Sequence, residues 1–239
     1  MDRRLDWEGC FNVRDLGGLR TAHGRLTLAG QVVRADAIDG LTAAGWAALE
    51  GYGIRTIIDL RNDDERHGDP AARPARVATV QLPLDGVEDR EFWDVWDSGP
   101  QFGTPLYYRP HLERMPQRSV PVLTAIAAAG PGGVVFHCGA GRDRAGLITM
   151  LVLAICGVSP EQIAADYALS AACLTARAAA LGEEDQEPVL SEYLAGRGTT
   201  AAQALVQALD ELGDVRALLV EAGLSERDVE VLRQRILGP

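Results

Sequence analysis

The sequence predicts an α/β fold with a central, largely parallel sheet flanked by helices. Two short runs rich in β-branched residues, 54–60 and 133–137, have the continuous apolar character of buried parallel strands. Segments with helical periodicity alternate with these runs, which is typical of such a sheet, and helix dominates the C-terminal half. The length of 239 residues suits one large domain, so we expect a single domain over residues 1–239.

Local signals define the elements of the first half. Residues 19–35 predict short strands around a turn near His23. Thr42 is a suitable N-cap for a helix that runs to about residue 52. After the first buried strand comes a polar, proline-containing loop, and a weaker strand is expected at 77–82.

Residues 83–118 differ in character from the rest of the chain. They hold six of the 13 aromatic residues and five prolines. Long connections with apolar content are often lids over a site, but an insertion packed on the surface has the same composition. We therefore expect an inserted lid or a packed insertion here.

Helices account for most of the remaining chain. The segment Ser159-Pro160-Glu161-Gln162 is a strong helix start, with Ser as N-cap and Pro in the first position. The acidic segment 182–187 is expected to be a solvated loop. The predicted helices are 119–129, 145–156, 161–180, 199–213 and 226–237.

The charge balance excludes several classes of function. The chain carries 23 basic and 34 acidic residues, a net charge of −11, and every basic residue is arginine. This surplus of negative charge argues against broad binding to nucleic acid or anionic membranes, so no nucleic-acid partner is expected. The lack of lysine excludes a Schiff base, a lysine general base and the GxxxxGK[ST] nucleotide loop.

The cysteines and the apolar segments indicate the compartment. The four cysteines show neither CxxC spacing nor a metal-finger pattern, so no metal site and a reducing compartment are expected. The longest apolar stretch, 147–158, is too short to span a bilayer, and the N-terminus lacks the apolar run of a signal peptide. We expect a soluble, cytoplasmic protein without integral membrane association. The sequence does not indicate the oligomeric state.

The segment HCGAGRDRAG, residues 137–146, is the most informative part of the chain. It joins a buried strand to a helix, which is where ligands bind in open α/β sheets. The helix start and the glycines supply free N–H groups that suit an anion. We call residues 138–144 the cradle. Its predicted anion-binding residues are Gly139, Ala140, Gly141, Arg142, Asp143 and Arg144.

Two side chains in the cradle point to one chemistry. A thiol at Cys138, near Arg144 and the helix start, is expected to have a lowered pKa and to be thiolate near neutral pH. The planar guanidinium of Arg144 suits two phosphate oxygens. Together they indicate nucleophilic attack on phosphorus through a cysteinyl-phosphate intermediate.

The cradle resembles the C-x5-R signature loop of the protein tyrosine phosphatase superfamily. HCGAGRDRAG is similar to the HCxAGKDRTG loop of the bacterial group with tyrosine, dual and phosphoinositide specificity. The run NVRDLGG at 12–18 is similar to the NFRDLGG of that group. Further motifs occur in the same order along the chain as in that group; they are Val33 to Asp36, Leu41-Thr42, Gly53-Ile54, Ile58 to Arg61 with Glu65, and Asp166-Tyr167 to Ser170. The resemblance covers roughly residues 7–175.

The resemblance implies roles for the catalytic candidates. Cys138 is the nucleophile, Arg144 binds the phosphate and the transition state, and Asp143 is the general acid. The alternative role for Asp143 is to cap the helix that follows, since Asp is a common N-cap residue. Asp59, at the end of a strand, is a second candidate acid, although pairing with an arginine as scaffold is an equal alternative.

The supporting residues lie before and around the cradle. Arg14, Asp15 and Arg61 are expected to brace the cradle or to touch substrate, and either Arg14 or Arg61 is the expected scaffold partner of Asp59. His137 is expected to orient the loop by hydrogen bonding without acting as a base. Cys10 lies near these motifs, so the formation of a reversible disulfide between Cys10 and Cys138 is kept as an alternative.

Two positions depart from the group's pattern. The lysine of the loop is Arg142 here, and Arg142 together with Arg144 is expected to favour multiply charged substrates. The hydroxyl residue after the loop arginine is Ala145. In the superfamily that hydroxyl stabilises the departing thiolate, so its loss predicts slow breakdown of the phosphoenzyme.

The sequence as a whole thus predicts a metal-independent phosphomonoester hydrolase that needs no cofactor. The expected substrates are phosphorylated proteins, lipids or small molecules, with phosphotyrosine and phosphoinositides foremost. The alternative is a slow or inactive module of the same fold that binds phosphorylated ligands. A rhodanese-like sulfur carrier also uses a cysteine in such a loop, but it explains neither NVRDLGG nor the pair Asp143-Arg144.

Overall fold

A five-stranded sheet forms the centre of the molecule. The computed structural model describes residues 3–66, 68 and 71–239. The strand order is β1-β2-β5-β3-β4; β1 pairs antiparallel with β2, and the other three pairings are parallel. The strands are β1 Arg14–Asp15, β2 Val32–Ala35, β3 Ile54–Asp59, β4 Ala78–Gln81 and β5 Gly133–His137. The predicted α/β class with a largely parallel sheet is confirmed.

Ten α-helices surround the sheet within the described part of the chain. Thr42 caps the first of them, as predicted, by accepting a hydrogen bond from the N–H of Gly45. The helices are α1 Ala43–Gly51, α2 Arg90–Trp96, α3 Tyr108–Arg114, α4 Val120–Ala128, α5 Asp143–Ile155, α6 Pro160–Leu181, α7 Glu187–Ala195, α8 Ala201–Leu212, α9 Val215–Glu221 and α10 Glu226–Leu237. No helix in the described ranges is long and apolar enough to cross a membrane.

Alternate side chains of the strands enter two separate cores. In β5, Val134 and Phe136 join the larger core, whereas Val135 joins the smaller one on the opposite face. The smaller core includes Trp46 and Leu49 of α1. Burial on both faces explains why β5 is apolar at nearly every position, the feature that identified it in the sequence.

Some elements differ from the sequence-based expectation. In 19–35 only β2 forms a strand of the sheet; the turn near His23 carries a single bridge between Arg20 and Leu26. Helices α7 and α9 were not predicted, because α7 begins within the acidic segment and both are short, with 9 and 7 residues. Short helices depend on packing more than on local propensity.

The segment 83–118 is packed against the body of the protein. It contains α2, α3 and three 3-10 turns. Its aromatic rings contact one another, with Tyr107 and Tyr108 at a centroid distance of 5.0 Å, and both of these side chains are buried. These contacts support the packed insertion; movement as a lid stays a prediction.

The parallel strands end at the edge where the cradle begins. Asp59 of β3 and Ala35 of β2 are both in register with His137, the last residue of β5. The next residue is Cys138. The register therefore brings the ends of three strands to the start of the cradle.

Candidate active site

The cradle turns sharply between β5 and α5. Gly141 has φ of +68°, and a Cβ there would lie 2.5 Å from the backbone N of Asp36 and 2.7 Å from the carbonyl carbon of Ala35. A side chain at this position would both strain the backbone and collide with β2. The glycine therefore allows the loop to close against the strand end.

Buried side chains hold the carbonyl groups of the cradle from behind. Arg34 donates from Nη2 to the carbonyl oxygens of Gly141, at 2.7 Å, and Arg142, at 3.2 Å. Asn12 donates from Nδ2 to the carbonyl oxygen of Ala140 at 2.9 Å. Because C=O and N–H of one trans peptide point in opposite directions, these bonds turn amide N–H groups toward the interior of the loop.

Asp166 on α6 is the shared counter-ion of the arginines behind the cradle. Its carboxylate forms ion pairs with Arg3 at 2.7 Å, Arg14 at 3.1 Å and Arg34 at 2.9 Å, and its side chain is fully buried. Burial raises the pKa of Asp166, but the three guanidinium charges outweigh it and hold that pKa well below its usual value. Arg14 also donates from Nη1 to Oδ1 of Asn12, the residue that binds a carbonyl oxygen of the cradle, so its contacts fit the expected support of the cradle.

Cys138 lies at the base of the cradle and is 2% exposed. Burial raises the pKa of the thiol above its usual value, while Arg144 and the N–H groups of Ala145 and Gly141 favour the thiolate. The expectation of a lowered pKa is therefore wrong for this structure, because it left out the burial of the sulfur. Cys10 is likewise a free thiol, so the structure contains no Cys10–Cys138 disulfide.

Arg144 is held by two carboxylates. Nη1 and Nη2 bind the two oxygens of Glu65 at 2.5 and 2.6 Å, and Nη1 also binds Asp85 at 3.1 Å. The remaining donors, Nε–H and the second Nη2–H, share the other edge of the guanidinium. Nη2 would lie 3.8 Å from a Cβ on Gly139, which places this edge beside the cradle. A free edge of this kind fits two phosphate oxygens.

Asp85 is a site residue that the sequence analysis missed. It lies just after β4, is 5% exposed, and accepts a hydrogen bond from Asn62 as well as from Arg144. Burial raises its pKa to about 6, with Arg144 acting against the shift. The one signal in the sequence was an acidic residue in the loop after a predicted strand, three residues beyond its end, which is weaker than the position of Asp59 at the end of a strand.

Asp143 is the first residue of α5 and belongs to the cradle. Its Oδ1 accepts a hydrogen bond from Nε of Arg142 at 3.2 Å, so its carboxylate contacts a side chain and does not form the predicted helix cap. The hydroxyl of Tyr108 donates to the carbonyl oxygen of Asp143 at 2.8 Å. This bond connects the insertion to the cradle.

Asp59 forms an ion pair with Arg61. Both oxygens of Asp59 accept hydrogen bonds from Arg61, and Arg61 also binds Asp39. Burial raises the pKa of Asp59, but Arg61 and His137 outweigh burial and lower it below its usual value. A carboxylate held in its ionised form is a poor proton donor, so the contacts favour the scaffold alternative.

His137 and Asp15 also have structural contacts. His137 is fully buried, which lowers its pKa to about 4, and its Nδ1 lies 3.4 Å from the carbonyl oxygen of Cys138. These contacts agree with orientation of the loop by a neutral ring. Asp15 accepts hydrogen bonds from Gly17, Gly30 and Tyr52, so these bonds brace neighbouring turns and not the cradle itself.

Arg142 points toward the mouth of the site. Its Nη1 forms an ion pair with Glu187, the first residue of α7. A cavity of about 720 Å³ opens outside the cradle and is lined by Gly139, Ala140 and Arg142, together with residues of the segment 183–187. A space of this size next to the cradle can receive the group that carries a phosphate.

Comparison with known proteins agrees with this geometry. A model of the tyrosine phosphatase family matches residues 5–238. A tyrosine-protein phosphatase of Nostoc commune is 31% identical over 219 residues, which cover 85% of this chain and 73% of that protein. The triple specificity protein phosphatase PtpB of Mycobacterium tuberculosis is 26% identical over an alignment of 276 positions, covering 96% and 98% of the two chains.

A solved structure, P. aeruginosa TpbA in complex with pTyr, aligns with 84% of this chain and 91% of that chain, at 16% identity and a TM-score of 0.37. The match to the family model extends over nearly all of the sequence and includes the whole cradle. The chain therefore belongs to the tyrosine phosphatase family.

Proposed function

We propose that this protein hydrolyses phosphomonoesters without a metal ion, through a cysteinyl-phosphate intermediate on Cys138. The observation that carries the proposal is the placement of this thiol. The thiol lies at the base of the cradle, where Arg144 and the N–H groups of Ala145 and Gly141 act against the effect of burial on its pKa. The other edge of the Arg144 guanidinium lies beside the same loop. A phosphate bound there has a nucleophile, N–H donors and a guanidinium within one cradle.

The reaction then proceeds in two steps. In the first, the sulfur of Cys138 attacks phosphorus, the bond from phosphorus to the leaving oxygen breaks, and Asp143 gives that oxygen its proton. In the second, water attacks phosphorus, the bond to sulfur breaks, and Asp143 takes a proton from the water. Arg144 and the N–H groups of the cradle bind the phosphoryl oxygens in both steps.

Phosphotyrosine and related phosphate esters, phosphoinositides included, are the proposed substrates. Membership of the family and the name of the Nostoc commune relative support phosphotyrosine. The description of PtpB as a triple specificity phosphatase supports a wider range of phosphate esters. The cavity outside the cradle, with its volume of about 720 Å³, is large enough for an aromatic ring.

The release of p-nitrophenol from p-nitrophenyl phosphate tests the proposal, measured in EDTA and reductant. We expect activity that persists in EDTA and falls at least about a thousandfold in Cys138→Ser, because serine is a far weaker nucleophile. Acid quenching during turnover should trap a phosphoryl group on the wild type and none on the variant. A folded wild type that binds vanadate but releases no product would instead identify a phosphate-binding module.

Ala145 provides a separate prediction about the second step. The hydroxyl that would stabilise the departing thiolate is absent here, and Ala145 offers the sulfur its backbone N–H alone, beside the N–H of Gly141. We expect a burst of about one p-nitrophenol per enzyme in stopped flow, followed by a slow steady rate. Ala145→Ser should shrink the burst and raise the steady rate about tenfold, the effect of one good hydrogen bond to a charged group. A wild type without a burst contradicts this prediction.

A further inference from the structure

Arg142, the second cation of the cradle, is enclosed on three sides. Its Nε contacts Asp143 at 3.2 Å and its Nη1 pairs with Glu187. A Cβ placed on Gly103 would lie 3.1 Å from its Nη2, so the backbone of the insertion lies close to the third nitrogen. Arg142 itself is 5% exposed. Its charge is therefore compensated, and its guanidinium is oriented by carboxylates of the protein.

The cavity outside the cradle has a negative wall. Seven carboxylates and three arginines line it among the residues that the structure describes. Each of these arginines already has a carboxylate partner: Arg61 pairs with Asp39 and Asp59, Arg177 with Glu183, and Arg142 with Glu187. A second phosphate on a substrate would meet a surplus of negative charge without an uncompensated cation on this wall.

We infer that Glu187 is a specificity-determining residue that restricts the site to singly phosphorylated substrates, by holding Arg142 and adding negative charge at the mouth. This inference rests on the proposed function and narrows its substrate class. It is the opposite of the expectation that Arg142 and Arg144 together favour multiply charged substrates. The difference arises because Glu187 lies 45 residues beyond Arg142 in the sequence and reaches it only through the fold.

Two peptides that differ by one phosphate test the inference. The first carries a phosphotyrosine followed by serine, and the second carries the same phosphotyrosine followed by phosphoserine. For the wild type we expect kcat/KM for removal of the tyrosine phosphate to be at least about tenfold higher with the first peptide. Glu187→Gln should bring this ratio close to one, mainly through a lower KM for the second peptide, because Arg142 then becomes available to the second phosphate.

Glu184→Gln is the matched control. Glu184 is an exposed residue on the same wall, and its removal changes the net charge by the same amount. We expect this variant to change the ratio by less than about twofold. If both variants changed the ratio of kcat/KM equally, the proposed role of Glu187 would be overturned. The preference would then depend on the total charge of the wall and not on the contact between Glu187 and Arg142.

The outcomes separate the inference from the proposed function. A wild type that hydrolyses both peptides equally well overturns the inference and leaves the proposed function intact. Inactivity toward both peptides and toward p-nitrophenyl phosphate overturns the proposed function itself. Gln keeps the size of Glu and an oxygen acceptor, and circular dichroism of each variant shows whether the fold is retained.

Discussion

Asp143→Asn is expected to lower kcat/KM, which reports formation of the phosphoenzyme and not its breakdown, about a hundredfold or more for phenyl phosphate, and much less for p-nitrophenyl phosphate. Phenolate and the tyrosine oxygen are basic leaving groups that need a proton as the bond to phosphorus breaks, whereas p-nitrophenolate leaves readily without one. Asp143 belongs to the cradle and contacts Arg142. The measurement is kcat/KM for a series of aryl phosphates. Its dependence on the pKa of the leaving group should become steeper in the variant.

Asp59→Asn and Asp85→Asn are the comparison variants. Asp59 is kept ionised by Arg61, so its replacement should affect all the aryl phosphates alike. Asp85 binds Arg144, so Asp85→Asn should mainly raise KM through a less well oriented guanidinium. The pKa of Asp85, raised to about 6 by burial, makes it the alternative acid. If the rate depended more steeply on the pKa of the leaving group in Asp85→Asn, and not in Asp143→Asn, the general acid would be Asp85.

Asp166→Asn is expected to destabilise the fold by about 3–5 kcal/mol, which is typical of removing one partner from a buried ion pair. Arg3, Arg14 and Arg34 would lose their shared counter-ion while they remain largely buried. Urea or thermal unfolding measures the loss, and a decrease in Tm of about 6–20 °C is expected for a chain of this size. Asp210→Asn, on the exposed face of α8, should change the free energy of unfolding by less than about 0.5 kcal/mol.

The pH dependence of stability provides an independent check on Asp166. Its pKa in the folded protein is lower than in the unfolded chain, so its ionised form stabilises the fold. This contribution is fully present above the unfolded pKa of about 4 and is lost as the pH falls below it. The gap in stability between wild type and Asp166→Asn should therefore narrow in acid. A gap that stays constant down to pH 2 would exclude the ion pairs as its cause.

The local part of the site was predictable from the sequence, and the long-range part was not. Strand β5, the cradle and helix α5 form one continuous segment, so Cys138 and Arg144 could be placed from their spacing and glycines. The partners of Arg144 lie 59 and 79 residues away in the chain, and only the packed fold shows that they bind it.

The same reason explains the other differences. The sequence suggested a lowered pKa for Cys138 because its charged neighbours are adjacent in the chain, whereas burial depends on the helices packed around the sulfur. Asp166 was singled out only as part of a motif. Its contact with Arg34 spans 132 residues, so its role as a shared counter-ion became visible in the structure. Helices α7 and α9 were missed because their lengths provide little periodicity.

The ion pairs of Arg144 with Glu65 and Asp85 affect how tightly the site can bind a phosphate group. A free arginine side chain loses about 2 kcal/mol of rotamer entropy when it is immobilised by a ligand. Here two carboxylates of the protein itself hold three of the five N–H donors, so the ordering occurs during folding. A phosphate that arrives meets a guanidinium whose other edge is already oriented, and little of its binding energy is consumed by arranging the receptor.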